Sequence, residues 1–169
     1  MILGLTLDFA EFLLQQLHDR YKLSLGEPVF LLDQADLHKL NSALKSPFQL
    51  LANLENCHLE QMVVAIGARL FCGLIQNHSL LNGNKRSAVL FLYAFCLLNG
   101  FTIKDFNEDA LYQLAMQVNK LVEEKTFSQA LIETEKYLRV NLVAQQPIAS
   151  SKSFEFYQKE FTNYLFSRD

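Results

Sequence analysis

At 169 residues, half of them hydrophobic and a fifth charged, the chain can bury a core of its own as one domain, and it is too apolar for disorder. A formal charge of −3 and a pI near 5.8 argue against a general nucleic-acid binder, and the longest apolar stretch, Ala88 to Leu98, is eleven residues, short of the roughly 18–20 that span a bilayer. Cys57, Cys72 and Cys96 form no CxxC pair and no signal-peptide pattern opens the sequence, so the expectation is a soluble cytoplasmic domain with no nucleic-acid or membrane partner.

The pattern is helical nearly throughout. Thr6 can cap a first helix whose inward face is Phe9, Ala10, Leu13, Leu17 and Tyr21, and Gly26 and Pro28 break it. A short helix then places Leu37, Leu40 and Leu44 on one side and ends at Pro47. Residues 46 to 57 have no clean period and read as a loop or hairpin. Leu59 to Gln76 is strongly helical, with Met62, Val63, Ile66, Leu70 and Leu74 inward. A second buried helix runs from about Asn84 to Leu98 and stops at Asn99-Gly100. Asp105 and Glu108 are spaced as a capping box for a helix with Leu111, Leu114, Ala115, Val118 and Leu121 inward. Thr126 and Gln129 repeat that spacing for a helix reaching roughly Leu142. Residues 145 to 153 read as a linker before the aromatic segment "FEFYQKEFTNYLF". The organisation expected is therefore a domain over residues 1–145, followed by a linker and appended aromatic helix over 146–169.

The stretch "NHSLLNGNKRSAV", residues 77 to 89, sits between the two most apolar helices. Gly83 permits a tight turn, and Asn84, Lys85 and Arg86 begin a helix there. The first turn of a helix presents N–H groups without intrahelical acceptors and the positive end of the macrodipole, so it attracts anions. Lys85 and Arg86 add formal positive charge at an end where cations are otherwise unfavourable, a local conflict that a bound phosphate resolves. His78, five residues before Gly83, can face the same concavity as a general base. A P-loop is excluded, because no glycine lies five residues before Gly83 and no lysine directly follows it. The chemistry suggested is phosphoryl or nucleotidyl transfer.

"HSLLNGNKRSA" resembles the signature loop of the Fic/Doc (fido) family, and most closely its death-on-curing branch, which typically reads H-P-F-x-D-[AG]-N-K-R-T-A. His78, Gly83, Asn84, Lys85, Arg86 and Ala88 match it, and Ser87 replaces Thr. Leu40 to Pro47 is similar to the L-x-S-A-L-x-x-P segment upstream in that branch, and Leu97 to Phe101 to its L-x-x-N-G-[YF] ending. The three motifs occur in the family's order, and the similarity covers about residues 3 to 143.

The resemblance implies an all-α fido bundle with the signature loop between two central helices and a short flap. It implies ATP and magnesium as cofactors, His78 as the catalytic base, Gly83, Asn84, Lys85 and Arg86 around the nucleotide phosphates, and Asn82 beside the metal. It also implies a target protein presenting a Ser or Thr hydroxyl, of which translation elongation factor Tu is the known type, and an antitoxin-like inhibitor. Fic members transfer AMP and, after the loop's first glycine, usually carry a second glycine in G-R-x-x-R. Here Lys85 occupies the place of the second glycine and Val89 that of the second arginine, which favours the kinase-like branch over an adenylyltransferase. Two positions depart from the family. Asn82 stands where an acidic residue holds magnesium, and a neutral amide binds that hard cation more weakly. Leu80 replaces a phenylalanine that anchors the loop in the core. The departure at Asn82 keeps a third reading open, a fido protein acting as a binding module. Ser151 and Glu155 resemble part of the inhibitory helix of some Fic proteins, although Phe156 breaks that pattern. Cys57, His58, Cys72 and His78 have no standard zinc spacing and read as helix-face residues.

Overall fold

The computed structural model describes residues 2–25, 36–80, 83–104 and 108–145. Within them the chain forms α1 (Leu7–Leu25), α2 (Leu37–Lys45), a 3-10 helix (Ser46–Asn53), α3 (Leu59–Asn77), α4 (Asn84–Leu98), β1 (Phe101–Ile103), α5 (Glu108–Glu123), α6 (Phe127–Asn141) and β2 (Leu142–Ala144). The fold is all-α, as the sequence suggests, with one small antiparallel strand pair.

The centre of the bundle is α3. It packs against α4 and α6, with α2, α5 and the 3-10 helix around it. By length and composition α3 is apolar enough to cross a membrane. Its burial accounts for that: Val63, Val64, Ile66, Leu70, Phe71, Cys72, Leu74 and Ile75 are all buried. Met62, by contrast, is only half-buried. From Ser87 to Cys96 every residue of α4 is buried. Such a helix, apolar all round, needs neighbours on every side. Phe71 on α3 and Phe91 and Phe95 on α4 are fully buried, and burial of each such side chain stabilises the fold by roughly 1.5–3 kcal/mol.

Most helix boundaries follow local chemistry. The Phe9 N–H donates to Thr6 Oγ1 at 3.2 Å, the expected cap of α1, and Phe9, Ala10, Leu13, Leu14 and Leu17 face the core. Gly100, with φ 80°, ends α4 in the left-handed region that favours glycine. The inward stripe of α5 is Leu111, Leu114, Ala115 and Val118.

Several expectations need correction, and others fall outside the described residues. Residues 46–53 form a 3-10 helix rather than a loop or hairpin, because Pro47, with its fixed φ and missing N–H, is suited to a helix start. Pro47 therefore begins a new helix after α2 has ended at Lys45. Leu37 is 41% exposed at the first turn of α2, so only Leu40 and Leu44 of the expected stripe are buried. The box at Thr126 does not form. Its hydroxyl and its N–H both donate backwards to Leu121 O, at 2.7 and 2.9 Å, closing α5 instead of opening α6. Helix α6 ends at Asn141, within a residue of the expected end, and β2, which the sequence did not suggest, pairs with β1 in the register Phe101↔Ala144, Thr102↔Val143, Ile103↔Leu142. The Gly26–Pro28 break, the side chain of Tyr21, the box at Asp105, Asn82 and the whole of 146–169 lie outside the described residues.

Candidate active site

The loop from His78 to Gly83 joins the two central helices, and its two ends are held by different means. His78 terminates α3 with φ 44° and ψ 50°. Left-handed backbone is uncommon for a residue with a Cβ, although histidine adopts it more readily than most. The twist turns the chain out of α3 and leaves the imidazole exposed at the helix end. The chain then dips inward. Ser79 and Leu80 are both buried, at 4% exposure, and Leu80 belongs to the main apolar cluster. The leucine that replaces the family's phenylalanine therefore still anchors the loop in the core.

Three hydrogen bonds fix this inward segment from outside it. The Asp36 N–H donates to Ser79 O at 2.7 Å, tying the loop to the start of α2. The side chain of Asn84 makes a paired contact with Leu80, its Oδ1 accepting the Leu80 N–H at 2.9 Å and its Nδ2 donating to Leu80 O at 2.7 Å. A carboxamide used in this way mimics one rung of a strand ladder and ties Leu80 to the first residue of α4.

Gly83 caps α4 with φ 82° and ψ 6°. A side chain there would strain the backbone, so the tight entry into α4 depends on glycine. The first intrahelical bond is the Ser87 N–H to Gly83 O at 3.0 Å, so the N–H groups of Asn84, Lys85 and Arg86 lie ahead of the ladder, at the positive end of the helix. Ser87 Oγ turns back to Gly83 O and Asn84 O, at 3.2 and 3.0 Å. Lys85 and Arg86 are half-buried in this first turn. The Arg86 guanidinium lies 5.7 Å from the ring centroid of Tyr112 on α5, a cation–π contact that orients it.

The expected site residues His78, Gly83, Asn84, Lys85 and Arg86 are thus gathered at one junction. Asn84 has a different part from the one its sequence position suggests: its amide is engaged with Leu80, and only its backbone N–H is left for an anion. Sequence reasoning missed three contributors. Asp36 was legible, because an aspartate directly before an apolar-periodic run is a cap signal. It caps α2 by accepting the Lys39 N–H at 3.0 Å. The buried Ser79 and the Tyr112 contact left no trace in the sequence, because both depend on which elements become neighbours.

The cysteine and histidine set does not assemble. His58 and His78 flank opposite ends of the 19-residue α3, roughly 28 Å apart at 1.5 Å per residue. Cys72 is buried beside Thr134 Oγ1 at 3.4 Å, and burial pushes its thiol up to about 11. Among the described residues no three His, Cys, Asp or Glu side chains form a metal cluster.

The family model described as "Fic/DOC family" matches residues 7–96, which is 90 of the 169 residues and runs from the start of α1 to near the end of α4. The chain belongs to the Fic/DOC family. That match contains the loop, α3, all but the last two residues of α4 and the Asp36 anchor, whereas Tyr112 lies beyond it. Comparison with curated proteins and with solved structures finds no match. Fic/DOC domains are typically transferases that use ATP as a substrate, and membership supports that general class for this chain.

Proposed function

We propose that this Fic/DOC protein is a death-on-curing-type kinase that moves the γ-phosphoryl group of ATP to a Ser or Thr hydroxyl of another cytoplasmic protein. The observation that carries the reading is the junction itself: an exposed histidine beside a pinned loop that leads directly into a cationic helix N-terminus. The His78 imidazole takes the proton of the target hydroxyl as its oxygen bonds to the γ-phosphorus. The bond from that phosphorus to the β–γ bridging oxygen breaks, and ADP leaves. The N–H groups at the start of α4, with Lys85 and Arg86, hold the phosphates and offset the charge on the transferring group. Positioning and fixed positive charge supply most of the catalysis in such transfers.

Kinase chemistry is favoured over adenylylation by position 89. The Fic pattern has its second phosphate-binding arginine there, and this chain has Val89, which is 4% exposed and packed in the core.

Magnesium does not fit a protein-built site in this loop. From His78 to Arg86 there is no carboxylate, and the one candidate ligand, Asn82, offers a neutral amide oxygen. A metal accompanying ATP would be held by the nucleotide's own phosphates. The same departure favours the second reading, a fido protein that binds nucleotide without turnover.

Incubating the natural protein and Asn82→Asp with γ- or α-labelled ATP in a cell extract separates these readings. A kinase transfers the γ label from the natural protein, with at most a modest change in Asn82→Asp. Transfer that arises only in Asn82→Asp, and rises with magnesium, indicates a disabled relative. Transfer of the α label indicates adenylylation, and silence from both proteins overturns the kinase assignment.

A further inference from the structure

Arg86 has a difficult place for an anion-holding side chain. It lies in the first turn of α4, where the helix dipole disfavours a cation, and its long side chain has several torsions to order before it can hold a ligand. An arginine in that position binds phosphate better if another contact fixes it in advance.

Such a contact comes from α5. The guanidinium carbon of Arg86 lies over the Tyr112 ring, 5.7 Å from its centroid, within the range of a cation–π attraction. The support behind the ring is rigid. Leu111 and Ala115 are fully buried and Leu114 is buried with them, so this stretch of α5 is anchored in the core, and α5 packs against α4. Tyr112, half-buried, stands next to that anchored stripe.

The chemistry of the contact also suits an anion site. A ring draws a guanidinium through its quadrupole, adds no negative charge and takes up none of the N–H groups that donate to phosphate. The ring is not part of the signature loop, nor of the family match over residues 7–96, so it is a feature of this chain that the motif does not carry with it.

On the proposal that this junction holds the phosphates of ATP, we infer that Tyr112 is a positioning residue of the nucleotide site. Its ring sets the Arg86 guanidinium in place before the nucleotide arrives, and it acts on the phosphates only through Arg86. The site thus draws one of its working parts from α5.

The test is calorimetric titration of ATP and, separately, of tripolyphosphate into the natural protein, Tyr112→Leu, Tyr112→Phe, Arg86→Ala and the variant carrying both Arg86→Ala and Tyr112→Leu. Tyr112→Leu keeps an apolar side chain but loses the ring, and should weaken both ligands by roughly three- to tenfold. Tyr112→Phe keeps the ring and should stay within about twofold of the natural protein. In the Arg86→Ala background Tyr112→Leu should cost nothing further, the non-additivity expected of a residue that acts through its partner. Tyr112→Met repeats the cycle if the leucine variant does not fold.

An equal loss from Tyr112→Leu in both backgrounds, the mark of a merely structural role, would overturn the proposal. So would a loss for ATP without one for tripolyphosphate, which would assign the ring to the base or ribose. Weaker binding in Arg86→Ala with none in Tyr112→Leu would overturn the positioning role and leave the phosphate site standing. A natural protein that binds neither ligand, or an Arg86→Ala variant that binds both undiminished, would overturn the nucleotide site and the positioning role with it.

Discussion

Asn84 has the signature-loop residue's expected place but a structural task the motif does not reveal. Both polar atoms of its side chain are engaged by one residue, Leu80, so the loop is closed before any ligand arrives. Asn84→Ala removes both bonds and leaves the Leu80 N–H and C=O, on a residue that is 4% exposed, without these partners. The expected cost is about 1–3 kcal/mol of unfolding free energy, read from denaturant midpoints, together with weaker ATP binding. Asn84→Asp keeps the acceptor but sets an oxygen against Leu80 O, so it should also be less stable than the natural protein. Stability equal to the natural protein in both variants would mean that the clamp holds nothing. The same device recurs at the far end of α4, where Asn99 grips Leu3. In both places an Asn beside Gly reads locally as a turn signal, and that reading is right about the backbone. The carboxamide's partner cannot be read there: for Asn99 it lies 96 residues away. At His78 the sequence identified the residue and its place beside the loop, but nothing in the spacing marks its left-handed backbone.

At the scale of elements, the loop is coupled to α2 through one residue. Asp36 caps that helix with its carboxylate and ties the loop with its N–H. The backbone hydrogen bond from Lys39, helped by the Lys39 ammonium 3.5 Å away, holds this carboxyl below its ordinary value of 3.8. A carboxyl lowered in the folded state contributes stability above its unfolded pKa, and that contribution is lost as pH falls through the folded value. The Lys39 amide resonance should therefore move with a midpoint below 3.8 on acidification, and the Ser79 and Leu80 amides should follow it. Asp36→Asn keeps an acceptor at the cap and should show no such step. A midpoint at or above 3.8 would contradict the cap as the cause. Periodicity was a good guide to the long helices, because their buried faces repeat every three to four residues over four or five turns. It failed for the 3-10 helix and for β1 and β2, which are too short for a repeat. Those elements are set by a proline and by the neighbours they meet.

For the whole molecule, the family match and the apolar bundle account for different parts. The match spans the loop and the helices that carry it, while α5, α6 and the strand pair lie beyond residue 96. Yet α5 supplies Tyr112 to Arg86, so the first turn of α4 is braced by an element outside the match, and α6 packs against α3. The central claim is that this braced junction combines an anion cradle with a separate base, and the two functions should come apart by mutation. The direct measurement is equilibrium ATP binding and single-turnover transfer of the γ label, made side by side on the natural protein and His78→Ala. Removal of a general base should lower transfer by roughly 10²–10⁴-fold, with ATP affinity changed less than about twofold and the melting temperature unmoved. Undiminished transfer in His78→Ala, or an equal collapse of binding and transfer, would contradict the account.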